Sequence, residues 1–83
     1  MKHRATARFW AQYEALPHEV RVLADKSFVL LKANPKHPSL HFKRFVNVWS
    51  VRVGSRYRAI GSETEDGILW LWIGTHDEYD KLV

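Results

Sequence analysis

The stretch from Trp49 to Arg58 constrains the fold of this chain more than any other, because it has the pattern of two short β-strands joined by a turn. Apolar residues at every second position from Trp49 to Val53 alternate with polar ones, which is the period of a half-buried strand. The pair Gly54-Ser55 predicts a two-residue turn, since glycine accepts the backbone angles that such a turn needs. The sequence therefore predicts a β-hairpin with one apolar face. Three arginines belong to its other, polar side: Arg52, Arg56 and Arg58.

Two helices are predicted before this hairpin. Aromatic and aliphatic side chains recur at helical spacing over residues 9–16, and Thr6 is a possible N-cap for this first helix. Pro17 is expected in the first turn of a second helix, where its missing N–H costs little. The second helix is expected to end near Asn34, because Pro35 disfavours helical geometry in the residue before it.

Further strands are predicted on both sides of the hairpin. Residues 40–48 alternate as an irregular strand, and residues 68–73 are apolar on both faces, which is typical of a central strand. Residues 1–6 are expected to be irregular or a short edge strand, and residues 76–83 a helical turn or an extended tail. Short connections between consecutive strands imply antiparallel neighbours. The sequence therefore predicts one α+β domain over residues 1–83, with two N-terminal helices on one face of a three- to four-stranded antiparallel sheet.

Charge is distributed unevenly along the 83 residues, whose net charge is +4. Neither Asp nor Glu occurs between Lys26 and Ser62, a segment that holds eight Lys and Arg residues. From Glu63 onward the balance reverses, and Lys81 is the one basic residue among seven charged ones. A basic middle segment indicates a surface for a polyanion such as nucleic acid, with ordinary solvated charges as the alternative.

Composition and motifs also argue against several classes of protein. The chain has no cysteine, so disulfides and thiolate metal sites are excluded. The absence of cysteine is consistent with a reducing compartment. No apolar run approaches the length of a membrane span, and the basic N-terminus lacks the apolar core of a signal peptide. A glycine-rich phosphate loop is absent, and the pair His37 and His41 spans a proline-containing loop rather than a helix. We therefore expect a cytoplasmic protein without a metal or other cofactor.

RNA cleavage without a metal needs residue types that this sequence contains. A base must take the proton of the attacking 2′-hydroxyl, cations must stabilise the charge on the phosphorane, and an acid must protonate the leaving 5′-oxygen. The residues of these types are Lys43, Arg44, Arg52, Arg58, His76 and Tyr79. A basic sheet face is also typical of RNA-binding proteins that cleave nothing, and the arginines could instead pair with the acidic tail.

Four segments together carry a resemblance to a known family: LHFK at 40–43, WSVRVG at 49–54, YRA at 57–59 and WLWIGTHDEYD at 70–80. The chain resembles the RelE/ParE toxin superfamily, and most of all its short RelE-like members that end in a Gly-Thr-His-Asp-Glu-Tyr-Asp signature. This resemblance implies two N-terminal helices packed on an antiparallel sheet. It also implies the toxin component of a type II toxin–antitoxin system, with a cognate antitoxin protein as its partner.

The resemblance also implies site residues. RelE-like members cleave mRNA on the ribosome without a metal, and ParE-like members inhibit DNA gyrase. By position, the resemblance implies catalytic roles for Arg52, Arg58, His76 and Tyr79, and an RNA contact for Lys43. Arg44 and Arg56 are further candidates for RNA binding because of their charge. The hairpin has no glutamate that could act as a base, and the lysine pair of the best-known ribonucleases is missing. Three functions therefore stay open: an mRNA endoribonuclease, a gyrase inhibitor, and a non-toxic module that binds the antitoxin.

Overall fold

Five strands and three α-helices form the fold in a computed structural model that describes residues 1–82. The elements are β1 (Lys2–Ala5), α1 (Ala7–Glu14), α2 (His18–Ala33), β2 (Lys43–Phe45), β3 (Val48–Val53), β4 (Tyr57–Thr64), β5 (Gly67–Thr75) and α3 (His76–Leu82). A 3₁₀ turn, Pro38–Leu40, lies between α2 and β2. Within residues 1–82, no helix has both the length and the apolar character needed to cross a membrane.

The sheet has the strand order β1-β5-β4-β3-β2. Strands β2 to β5 form an antiparallel meander, and β1 joins the far edge parallel to β5. The predicted α+β class is confirmed, but the sheet has five strands rather than three to four, and β1 makes it mixed. Strand β1 is the short edge strand that was one of the two alternatives for residues 1–6. The sequence does not decide between them, because Lys-His-Arg-Ala has no β-branched residue and no apolar alternation. Its pairing with β5 depends on backbone groups that any sequence carries.

The two long helices begin and end close to the predicted positions. Thr6 caps α1, since its hydroxyl accepts a hydrogen bond from the backbone N–H of Phe9 at 3.1 Å. Pro17 is the N-cap of α2 rather than a residue of its first turn. Asn34 is the C-cap of α2, so the helix ends just before Pro35, as predicted.

The β3–β4 hairpin is confirmed, but its loop is longer than predicted. The last pair is Val53 with Tyr57, which leaves three residues in the loop instead of two. Gly54 begins this loop with a φ of 62°, in the left-handed region that glycine accepts without strain. A β-carbon at this position would lie 2.9 Å from Cδ1 of Leu23, so α2 also approaches the backbone too closely for a side chain.

The single strand predicted over residues 40–48 is wrong, because a turn divides this segment. β2 covers only three residues, and the pair Phe45 with Val48 leaves Val46 and Asn47 as a two-residue turn. Val46 has a φ of 57°, which is rare for a β-branched residue, so its identity gives no sign of a turn. His41 also has a positive φ, 44°, where the 3₁₀ turn ends.

Helices α1 and α2 pack on the same face of the sheet, α1 against β5 and α2 against β3. The core consists of buried apolar side chains from the sheet, from α2 and from the 3₁₀ turn: Leu31, Leu40, Val51, Val53, Ala59, Ile68, Trp70 and Ile73. Because successive side chains of a strand point to opposite faces, Ser50, Arg52 and Arg58 lie on the face away from α1 and α2. The fold thus uses one face for its core and leaves the other for polar chemistry.

Candidate functional site

A cleft opens on that second face, where the β3–β4 loop meets the start of α3. Its lining is strongly basic: Lys43, Arg52, Arg56 and Arg58 contribute cations, His41 and His76 add imidazoles, and Asp77 is the acidic group. These residues come from β2, β3, β4, the β3–β4 loop, α3 and the segment before β2. The fold therefore brings cations that are far apart in the sequence together on one concave surface. Such a surface suits a phosphate-bearing ligand.

Arg58 is the buried cation of this cleft, with 7% of its surface exposed. Its Nε and Nη2 donate to the hydroxyl of Ser50 at 3.0 and 2.5 Å, and Nη2 also donates to the carbonyl of His41 at 3.4 Å. The ring of Tyr79 lies 5.0 Å from the guanidinium carbon, within the range of a cation–π contact. Among residues 1–82, no carboxylate lies within ion-pair distance of Arg58. A buried cation with only neutral partners favours binding of an anion from outside.

Arg52 faces Arg58 directly across the β3–β4 pair. Like charges in this position repel each other, so an anion between them would relieve the repulsion. The Nε of Arg52 donates to the carbonyl of Gly54 at 3.0 Å, and its Nη1 lies 3.2 Å from Nε2 of His41. A guanidinium has donors only, so His41 accepts this hydrogen bond. The two arginines are thus held side by side at the floor of the cleft.

His76 is the first residue of α3, and its position is set from two sides. Its backbone N–H donates to the carbonyl of Arg56 in the β3–β4 loop at 2.6 Å. Its Nδ1 lies 3.2 Å from Oδ2 of Asp80, one helical turn later. A carboxylate at Nδ1 orients the ring and leaves Nε2 available to a ligand. The ring of Tyr79 lies 6.0 Å from that of His76, so this aromatic side chain is close to both His76 and Arg58.

The Thr-His-Asp-Glu part of the C-terminal signature forms a capping box at the start of α3. The backbone N–H of Glu78 donates to the hydroxyl of Thr75 at 3.1 Å, and the N–H of Thr75 donates to the Glu78 carboxylate at 3.0 Å. Hydrogen bonds from Thr75 hold the pKa of Glu78 below its ordinary value. These reciprocal bonds explain how a seven-residue helix places His76 and Tyr79 reproducibly at the cleft.

Arg44 lies apart from the other proposed site residues. Its Nε and Nη2 form a bidentate pair with Glu63 at 2.8 and 2.7 Å, and the indole N–H of Trp49 donates to the same carboxylate at 3.3 Å. The hydrogen bond from Arg44 is the main cause that holds the pKa of Glu63 below its ordinary value. Lys43, the preceding residue, points to the other face of β2 and lines the cleft. The structure thus brings together Lys43, Arg52, Arg56, Arg58 and His76, with Tyr79 against Arg58, but not Arg44.

His41 lines this site but is not among the residues that the sequence predicts for it, since its spacing from His37 points only to a weak metal pair. His37 contacts Ser39 instead. The backbone N–H of Ser39 donates to Nδ1 of His37 at 3.2 Å, and the Ser39 hydroxyl oxygen lies 2.8 Å from the same nitrogen. The sequence signal for His41 is weak, since only its place beside Lys43 in the LHFK segment links it to the basic surface.

A different trio has the residue types and spacing of a cation site. Ligating atoms of His76, Asp77 and Asp80 lie within 4.8 Å of one another, and all three side chains are exposed. Nδ1 of His76 is already engaged with Asp80, so a metal would have to replace that contact or bind elsewhere on the ring.

Several solved structures share this fold. A chain of the RelB–RelE antitoxin–toxin complex from Methanococcus jannaschii superposes with a TM-score of 0.72 at 16% identity, over 96% of this chain and 99% of that chain. The isolated E. coli RelE toxin gives a TM-score of 0.66 at 14% identity, over 96% of this chain and 92% of that chain. A chain of the intact E. coli RelBE toxin–antitoxin complex gives a TM-score of 0.64 at 15% identity, over 87% of this chain and 92% of that chain. The fold is therefore that of RelE-type toxin structures.

Family membership follows from the sequence itself. The family model described as ParE-like toxin domain matches residues 20–81, most of the chain. This protein belongs to the ParE-like toxin domain family, and the resemblance to the RelE/ParE superfamily is confirmed. No curated protein sequence gives a significant match to the chain.

Proposed function

We propose that this protein is the toxin of a type II toxin–antitoxin system and that it acts in the cytoplasm by cleaving mRNA on the ribosome without a metal ion. The observation that carries this proposal is Arg58, a buried guanidinium that faces an open basic cleft and has only neutral partners among residues 1–82. A phosphodiester group is an anion of the right charge, and guanidinium groups match its geometry.

The proposed reaction is an attack of an RNA 2′-hydroxyl on its neighbouring phosphate. The bond from the 2′-oxygen to phosphorus forms, the bond from phosphorus to the 5′-oxygen breaks, and the products are a 2′,3′-cyclic phosphate and a free 5′-hydroxyl. Arg52 and Arg58 would stabilise the charge that develops on the non-bridging oxygens. His76 would protonate the leaving 5′-oxygen from Nε2 while Asp80 holds its Nδ1. Lys43 and Arg56, which are exposed residues of the cleft lining, would contact the RNA backbone.

A cognate antitoxin is the proposed protein partner. The structures that share the fold include toxins in complex with the antitoxin RelB. The basic cleft favours an antitoxin segment rich in Asp and Glu, because such a segment would neutralise the cations that RNA would otherwise contact. By binding only the folded toxin, it would also raise the stability of this small domain.

The decisive experiment is cleavage of a model message on purified ribosomes, with Arg58→Ala and Arg58→Lys as variants. We expect the wild type to cut the message and Arg58→Ala to be slower by about 100-fold or more. Arg58→Lys should stay slow, because an ammonium keeps the charge but not the planar fork of donors. Thermal unfolding of each variant shows whether a loss of rate reflects a loss of fold.

A gyrase supercoiling assay with the same preparation distinguishes the competing functions. An intact message together with blocked supercoiling would replace this proposal by gyrase inhibition. Inactivity in both assays, with no growth arrest on induction, would indicate a non-toxic module.

A further inference from the structure

His41 lies in the cleft beside both arginines, and its position is fixed by the chain on either side. It follows the 3₁₀ turn Pro38–Leu40 with a φ of 44°, and its backbone N–H donates to the carbonyl of Pro38 at 3.2 Å. The preceding Leu40 is 1% exposed and belongs to the core, so it anchors this segment to the sheet. An exposed imidazole held by a buried neighbour is well placed to meet a ligand.

The contacts of His41 define which of its ring nitrogens carries a lone pair. Nη1 of Arg52 lies 3.2 Å from Nε2 of His41, and a guanidinium can only donate. Nε2 is therefore unprotonated in this arrangement, and a neutral ring carries its proton on Nδ1. Arg58 adds a second link, because its Nη2 donates to the backbone carbonyl of the same residue. The structure thus presents a proton-accepting nitrogen next to both proposed phosphate-binding groups.

The two histidines of the cleft have opposite partners. Nε2 of His41 meets a cation, Arg52, whereas Nδ1 of His76 meets a carboxylate, Asp80. General acid–base catalysis needs one group that can accept a proton and one that can donate a proton, in environments that differ in this way. With Nδ1 against the Asp80 carboxylate, His76 can present its Nε2 as a donor to the ligand. His41 presents Nε2 as an acceptor, because that atom already accepts from Arg52.

We infer that His41 is the general base of RNA cleavage, an inference that rests on the proposed function. When a phosphate enters, Arg52 turns its donor from Nε2 of His41 to a phosphate oxygen. Nε2 then takes the proton of the 2′-hydroxyl as the new bond to phosphorus forms, and His76 gives its proton to the departing 5′-oxygen. The step ends with His41 protonated and His76 neutral. A histidine base also explains how RNA could be cleaved although the hairpin has no glutamate that could act as the base.

The first test is His41→Gln in single-turnover cleavage of a ribosome-bound message. Glutamine can still accept a hydrogen bond from Arg52, but it cannot take a proton at neutral pH. We expect the rate to fall by about 100-fold or more while binding to ribosomes is retained. His37→Gln is the matched control, because His37 lies four residues away outside the cleft and contacts Ser39. A wild-type rate for His41→Gln would overturn the inference.

His41→Asn and His41→Ala complete the series. Asparagine tolerates the left-handed backbone at this position, so His41→Asn should fold as the wild type does and lose the same activity. Adding imidazole to His41→Ala should restore part of the rate, which a purely structural role would not allow. Full activity of a folded His41→Asn would contradict a catalytic role.

A substrate with sulfur in place of the 5′-oxygen at the cut site separates the base from the acid. A thiolate leaves without protonation, so this substrate should restore the rate of His76→Ala but not that of His41→Gln. Restoration of His41→Gln instead would overturn the assignment as base. If the wild type cuts neither substrate, the proposed function itself fails. If the wild type cleaves normally and His41→Gln cleaves at the same rate, only the assignment of His41 as the base fails.

Discussion

Arg58 and Ser50 are joined by two hydrogen bonds across β3 and β4, both to the same hydroxyl oxygen. The pair is buried, with 7% of each residue exposed, and lies at the floor of the basic cleft. The serine hydroxyl cannot neutralise the guanidinium, so it orients the group without cancelling its charge. A carboxylate in its place would hold Arg58 more strongly but would compete with a phosphate for it.

Replacing Ser50 with alanine should therefore affect both stability and activity. Ser50→Ala removes the main hydrogen-bond acceptor of a buried cation, and we expect a loss of about 1.5–3 kcal/mol in the free energy of unfolding. Cleavage should slow as well, because Arg58 loses its orientation. Urea unfolding and the ribosome assay measure the two effects. Ser62→Ala, on the same sheet face but only half-buried, is the control. Equal stabilities of the two variants would contradict the role given to Ser50.

Tyr79 should stabilise α3 through its ring rather than through its hydroxyl. The ring lies 5.0 Å from the guanidinium carbon of Arg58, and phenylalanine keeps that contact while leucine does not. We expect Tyr79→Phe to unfold at the wild-type urea concentration and Tyr79→Leu to lose about 1 kcal/mol. If both variants are destabilised equally, the hydroxyl rather than the ring accounts for the stability.

The sequence predicts most of the fold because its main elements have strong local signals. Thr6 and Pro35 mark helix ends through capping and steric effects that act within a few residues. The alternation from Trp49 to Val53 predicts β3 correctly. For β1 the sequence leaves a short edge strand and irregular chain as alternatives, since its pairing partner is β5, about 65 residues later. The turn at Val46 was equally hidden, because valine rarely adopts a positive φ.

The site was less predictable than the fold, since it is assembled from segments far apart in the chain. Residue types alone favoured Arg52, Arg58 and His76, and the structure places all three in the cleft. Arg44 has the same charge but faces Glu63, and only the register of β2 against β3 reveals this. His41 depends on a left-handed backbone after a 3₁₀ turn, which no local pattern in the sequence predicts.

Acid should weaken the contact between Arg44 and Glu63. The pKa of Glu63 is lowered in the folded protein, mainly by the hydrogen bond from Arg44. A carboxyl whose pKa is lower in the folded than in the unfolded protein stabilises the fold at pH values above its unfolded pKa. This stabilisation is lost as the pH falls through the pKa of the folded state. The wild type should therefore be more stable to urea than Glu63→Gln at about pH 7, and the difference should shrink as the pH falls below the ordinary glutamate pKa. A difference that does not change with pH would show that the carboxylate charge is irrelevant.

Asp80 should matter for cleavage more than its neighbour Asp77, although both belong to the trio that could hold a cation. Asp80 contacts Nδ1 of His76, so Asp80→Asn should disturb the orientation and charge of this imidazole and slow cleavage by up to about 100-fold. Asp77→Asn leaves that contact in place and should have a smaller effect. The comparison uses single-turnover rates on the same ribosome-bound message. If a metal held by the trio drove the reaction, both variants would lose activity to the same extent, because each removes one ligand. A larger loss in Asp80→Asn therefore supports proton transfer through His76, and equal losses would point to the cation.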